Sequence, residues 1–145
     1  YKEILGQVLV LSAFLPVVMG MAGNVGVQSA TVAVRGLATG AIDVRDTVPL
    51  VLKELRVGLV LGTFYGVIIA VVGYLMHDSI QLGQVVGLTV LGNMTGAALL
   101  AVLLPMIFQR LKVDPAVATG PFVTTAIDIF GVLNYFVIAS WIYKF

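Results

Sequence analysis

From Val57 to Met76 the chain runs without one charged side chain, and the same holds from Ile4 to Ala22 and from Leu82 to Phe108. Runs of that length restrict the fold more than any other feature. A helix rises about 1.5 Å per residue, so roughly 20 apolar residues cross the about 30 Å of hydrocarbon in a bilayer. Within lipid the backbone must satisfy its own amides and carbonyls, which favours helices for unbroken apolar runs. Only 10% of the residues are charged, against about 25% in soluble domains, so this apolar surface cannot be hidden in water. The chain reads as all-α, a polytopic transmembrane helix bundle in which residues 1–145 form one domain, with spans over about 4–38, 57–76, 82–108 and 115–143.

Local signals divide the spans. The first is too long for a bilayer if wholly helical, so it is expected to protrude from the membrane or to bend near Pro16 and the glycines Gly20, Gly23 and Gly26. A charged connector with Asp43, Arg45, Asp46, Lys53, Glu54 and Arg56 follows, and a short interfacial helix is expected in it. His77-Asp78-Ser79 forms a tight turn, and Asp114 with Pro115 supplies an N-cap and a first helical residue for the last span. Of the eight basic residues, Arg35, Arg45, Lys53, Arg56, Arg110 and Lys112 fall on one side of such a bundle and only Lys2 and Lys144 on the other. By the positive-inside rule the first side is cytoplasmic and both chain ends lie outside, with Tyr1, Trp141 and Tyr143 near the outer boundary. This is the pattern of an integral protein of the cell (inner) membrane. The sequence opens without methionine and its first apolar run has no basic leader or cleavage site, so it reads as a fragment without a signal peptide. A net charge of +1 gives no footing for a nucleic acid, and the absence of cysteine removes disulfides and thiolate metal sites.

One acidic residue stands deep inside an apolar span. Asp128 lies in Thr124-Thr125-Ala126-Ile127-Asp128-Ile129-Phe130-Gly131. A carboxylate at that depth costs several kcal/mol unless it meets water, a partner or an ion, which makes it a functional candidate; the alternative is a protonated acid joining two helices. Gly120, Thr124, Asp128 and Gly131 share one face at helical spacing, while Phe122, Ile129 and Phe136 mark the opposite face. Pro121 offers no amide to the carbonyl of Val117, which is left for water or a cation or simply marks a kink. Gly20, Asn24, Gln28, Thr31 and Arg35 form a second polar stripe, suited to holding the waters of a hard cation or to interhelical hydrogen bonds. Gly58, Gly62 and Gly66 make consecutive GxxxG steps, and Gly83 with Gly87 and Gly92 with Gly96 add two more, all fitted to close helix packing. Asn93 and Thr95 are candidates for interhelical hydrogen bonding, and His77 for a solvated turn. With no Walker or dinucleotide glycine pattern, no HExxH and a single histidine, the sequence does not read as an enzyme.

The run Pro16-Val17-Val18-Met19-Gly20-Met21-Ala22-Gly23-Asn24-Val25-Gly26-Val27-Gln28-Ser29-Ala30-Thr31 resembles the glycine-asparagine signature of MgtE magnesium transporters. Arg35-Gly36-Leu37-Ala38-Thr39 leading to Asp43, Lys53-Glu54, Val113-Asp114-Pro115-Ala116 and the intramembrane Asp128 are similar as well. The resemblance extends over essentially the whole chain. It implies a homodimer with a pore at its interface, in which Asp128 binds a largely hydrated Mg2+ flanked by Asn24, Gln28, Thr31, Gly120 and Thr124. It also implies that a first transmembrane helix and cytosolic regulatory domains, an amino-terminal helical domain and a CBS pair, lie outside this sequence. Val27 and Gly120 stand where the family pattern has polar side chains, which leaves other divalent cations open. From the residues alone, an ion-coupled secondary transporter and a non-conducting membrane assembly domain remain as alternatives to a channel-like pathway.

Overall fold

The computed structural model describes residues 2–43, 45, 47–118 and 120–144, with Lys2 to Val8 and Ala118 as backbone only. Tyr1 and Asp46, assigned above to the outer boundary and to the connector, lie outside the described residues. The elements run α1 (Lys2–Ala38), α2 (Thr47–His77), α3 (Ile80–Arg110), α4 (Pro115–Ala118) and α5 (Pro121–Tyr143). Four of these helices are long and apolar enough to cross a membrane: α2, α3, α5 and α1 from Leu9 onward.

α1 is one helix of 37 residues that passes through Pro16 without a break. At about 1.5 Å per residue it is roughly 55 Å long, well beyond a bilayer core of about 30 Å. α2 departs from the expected boundaries: it begins at Thr47, so Lys53, Glu54 and Arg56 ride on its first turns and, among the described residues, the connector holds no α-helix separate from α2. At the other end of α2, Asp78 adopts a left-handed conformation at φ 47° and Ser79 Oγ accepts the Leu82 amide at 3.2 Å, which turns the chain and caps α3. The end of the sequence also differs from the expectation of one span over 115–143. Asp114 caps only the single turn α4, with its carboxylate accepting the Ala116 amide at 2.9 Å, and α5 starts afresh at Pro121. Pro121 thus opens a helix, where its missing amide is harmless, and does not kink one.

α3 is the central element, packed against α1, α2 and α5, and it carries more of the buried residues than any other helix. The glycines decide how closely α2 meets it. A methyl group added at Gly58 would lie 2.7 Å from the Thr95 Cα, at Gly62 2.9 Å from the Leu91 carbonyl oxygen, and at Gly66 2.7 Å from the Gly87 carbonyl oxygen. Backbone thus touches backbone along the seam, as GxxxG spacing permits. The other side of α2 presents Val60, Phe64 and Leu75 outward, as a lipid-facing surface does. Tyr135 is buried and donates its hydroxyl to the Leu11 carbonyl at 2.6 Å, tying α5 to α1.

Replacing Gly66 by Val is expected to destabilise the bundle by about 1–3 kcal/mol, because the obstructing atom is backbone and cannot move aside. Thermal unfolding in detergent checks this, with the lipid-facing Val60→Ala expected to unfold close to wild type.

Candidate functional site

The polar stripes of α1 and α5 flank one seam. Ile127 is buried directly against Gly26, where any side chain on α1 would collide with it. That contact sets the Asp128 turn of α5 beside the turns of α1 that carry Asn24 and Gln28. Asn24, Gln28, Thr31 and Arg35 on α1 and Gly120 and Asp128 on α5 are all exposed in the single chain, and Thr124 is half-buried. Exposed polar groups on helices otherwise sheathed in apolar side chains require water, an ion or a partner surface. Among the described residues nothing donates a hydrogen bond or forms an ion pair with the Asp128 carboxylate, and no cluster of three or more His, Cys, Asp or Glu side chains is present. Direct ligation by several carboxylates within one chain is therefore not what this face offers.

The hydroxyls have a definite polarity. Thr31 Oγ1 donates to the Val27 carbonyl at 2.7 Å, and Thr124 Oγ1 lies 3.1 Å from the Gly120 carbonyl and 3.2 Å from that of Pro121. Each hydroxyl proton turns back into its own helix, so the oxygen presents lone pairs outward. A hydrated cation needs that polarity, since its bound waters point their hydrogens away from the metal. Gly120, with open space where a side chain would begin, and the neighbouring break in the chain leave room for such waters.

Three residues depart from their expected places. Gly131 does not belong to the exposed stripe: it is buried against Met19 and Asn93, in line with Val123, Ile127 and Tyr135. Thr95 donates to Leu91 within its own helix, whereas the fully buried Asn93 links helices, accepting from Asn134 Nδ2 at 2.8 Å and donating to the Gly131 carbonyl at 3.4 Å. The most consequential departure is Glu54, placed by sequence in the charged connector. It is only 6% exposed and accepts a 2.6 Å hydrogen bond from the buried Ser29 hydroxyl, next to Gln28 on α1. Asp128 is therefore not the only acid held against the helices, although Glu54, between Lys53 and Arg56, lies at the charged end of α2 and not deep in an apolar run. The signal was present in the sequence, because Glu54, Gly58, Gly62 and Gly66 continue one i, i+4 series. Phe122, Ile129 and Phe136 are exposed on α5, consistent with a lipid-facing side. His77 is exposed at the end of α2, its ring 6.2 Å from Phe14.

The family pattern of the MgtE divalent cation transporters matches residues 15–138, which takes in both polar stripes and the seam between them. The chain belongs to the MgtE family. It is 37% identical to the magnesium transporter MgtE of Bacillus subtilis (strain 168), over 97% of this chain and 31% of that protein. It is 39% identical to the protein of that name from Enterococcus faecalis (strain ATCC 700802 / V583), over 100% of this chain and 32% of the relative. The protein of that name from Thermus thermophilus is 38% identical over 96% of this chain and 31% of its own length. The chain thus spans less than a third of the length of the curated relatives it matches. MgtE is a family of transporters and not of enzymes, and its membership together with four apolar helices makes this an integral membrane protein.

Glu54→Gln keeps an oxygen for the Ser29 proton and is expected to unfold near wild type. Ser29→Ala strands a buried carboxylate, and a loss of about 1.5–3 kcal/mol is expected from removing a hydrogen bond to a charged group. Paired denaturation curves in detergent, compared at matched protein concentration, test the difference.

Proposed function

We propose that this chain forms the membrane pathway for Mg2+, with two copies arranged about a two-fold axis so that their α1 and α5 polar stripes face each other across a pore. The observation that carries the proposal is the position of Asp128: a carboxylate without a partner among the described residues, exposed on the single chain, beside a face of outward acceptor oxygens. One such stripe per chain is too little to surround an ion, and a second copy supplies the opposite wall. Two symmetry-related carboxylates repel each other across a narrow passage, and a divalent cation between them removes that repulsion. Mg2+ gives up water reluctantly and holds octahedral geometry at about 2.0–2.1 Å, so Asp128 contributes charge while Asn24, Gln28, Thr31 and Thr124 accept from the retained waters. Gly120 leaves space for that shell. The relatives' name, magnesium transporter, supports Mg2+ as the ion, and other divalent cations of similar hydrated size are possible competitors.

In the membrane the end with Arg35, Arg45, Lys53, Arg56, Arg110 and Lys112 faces the cytoplasm, and the Asp78 turn and both ends of this segment face outward. The contact of Arg110 with the Thr47 hydroxyl at 3.4 Å supports grouping these charges at one end. Cytosolic regulatory domains of the kind the family resemblance implies would dock at that end. The break between α4 and α5 beside Gly120 favours a second reading, an ion-coupled carrier, since such breaks also mark coupled transport sites. Mg2+ uptake that depends on an imposed proton gradient distinguishes it.

In liposomes, Asp128→Asn is expected to lower Mg2+ flux at least about tenfold, the equivalent of about 1.4 kcal/mol, with Thr124→Ser close to wild type. Equal flux in wild type and Asp128→Asn at matched incorporation would overturn the role of the carboxylate. For topology, cysteine placed at Asp78 should react with an impermeant reagent added outside and cysteine at Lys112 should not. Cross-linking of cysteines introduced on the exposed face of α1 should trap a dimer, whereas a monomeric particle in lipid would count against the shared pore.

A further inference from the structure

Away from the α1 stripe, α2, α3 and the end of α5 enclose an apolar groove of about 680 Å3. Its floor is the α3 face with Gln84 and Leu88, one wall is Thr63 and Val67 of α2, and the other is Trp141 with Lys144 at the end of α5. A second recess of about 310 Å3 over Val71, Tyr74 and Ile80 adjoins it and shares Ala70, Gly83 and Gln84, so the furrow extends from Leu91 to the turn that opens α3. At about 1.5 Å per residue that stretch of α3 is roughly 16 Å long, close to the about 15 Å hydrocarbon depth of one leaflet. Beside the hydroxyls of Thr63 and Tyr74, two polar groups bear on what could fill it. Among the described residues lining either recess, Lys144 is the only charged one. Gln84 is exposed on the floor and has no hydrogen-bond partner among the described residues, an unfavourable state for an amide at the edge of hydrocarbon.

We infer that this groove is a binding site for an anionic glycerophospholipid, with an acyl chain along α3, the phosphate on Lys144 and a glycerol ester carbonyl accepting from the Gln84 amide. Length, apolar lining and charge agree on this occupant. A lipid chain fills a furrow one leaflet deep, the lone cation matches a headgroup phosphate, and the free amide donors match an ester oxygen. The indole of Trp141, 75% exposed at the rim, sits at the level such rings favour. Among the described residues no α1 side chain lines the groove, and its lining at the end of α5, Trp141 to Lys144, lies more than three turns beyond Asp128, so the site stands apart from the proposed ion pathway.

Trp141 is the single tryptophan of the chain and reports on the groove directly. The whole chain is reconstituted in phosphatidylcholine vesicles containing a minor fraction of either dibrominated phosphatidylglycerol or dibrominated phosphatidylcholine, and Trp141 fluorescence is recorded. The anionic brominated lipid is expected to show about fivefold higher relative affinity, as one lysine beside an anionic headgroup supplies about 1 kcal/mol. Lys144→Gln should bring the ratio to about one while leaving chain quenching in place, and Thr63→Phe, which fills the groove from an exposed position, should weaken quenching by both lipids. Equal quenching by the two lipids in wild type, or a preference that survives Lys144→Gln, would overturn the inference. So would an absence of quenching by either lipid, the result expected if a second copy or another helix covers the groove.

Discussion

The close approach of α2 to α3 is the contact on which the rest of the bundle depends. Within lipid no hydrophobic force draws two apolar helices together, so association rests on packing, and packing is densest where backbones touch. Gly58, Gly62 and Gly66 bring α2 onto α3 with no side chain between them. α3, fixed on that side, then presents its remaining faces to α1 and α5. The small residues therefore do more than fill space: they free the exposed faces of α1 and α5 from structural duty and leave them available for polar side chains.

Two kinds of polar group on these helices have different consequences. Asn93, Asn134, Tyr135, Ser29 and Glu54 are paired across helix boundaries, and each pair fixes one helix against another. Asn24, Gln28 and Asp128 are exposed on a single chain and have no partner among the described residues. A buried and satisfied polar group specifies geometry; an exposed and unsatisfied one on a membrane helix asks for a ligand or a partner. The Ser29–Glu54 bond connects the two kinds, since Ser29 is the residue after Gln28 and is held by a helix that takes no part in the stripe.

The spans were legible in the sequence because an uncharged apolar run of twenty or so residues has few other uses. Their ends were less so. Counting charges places Lys53, Glu54 and Arg56 in one polar connector, but successive helical residues turn by about 100°, and so Glu54 faces Ser29 while its charged neighbours face outward. Gly131 was misassigned for the same reason: it lies about 60° round the helix from Asp128 but only about 40° from Ile127, and it joins the buried seam of the latter. The break before α5 was encoded by Gly120-Pro121, since proline disfavours a helical residue before it, yet proline alone does not separate a kink from a fresh start. Asp128 was found because a lone acid in an apolar span is conspicuous. Glu54 was overlooked because its neighbours are charged.

The i, i+4 series from Glu54 through Gly58 and Gly62 to Gly66 makes α2 a ruler as well as a wall. Its lipid-facing side chains can be exchanged for one another at little cost, since hydrocarbon does not distinguish leucine from valine by position. Its length cannot be altered in the same way. One residue inserted between Glu54 and Gly58 would swing the carboxylate by about 100° out of the bundle while the glycines stayed against α3, leaving the buried Ser29 hydroxyl without its acceptor. Drift in this helix is thus confined to substitution, and insertion or deletion is left to the loops.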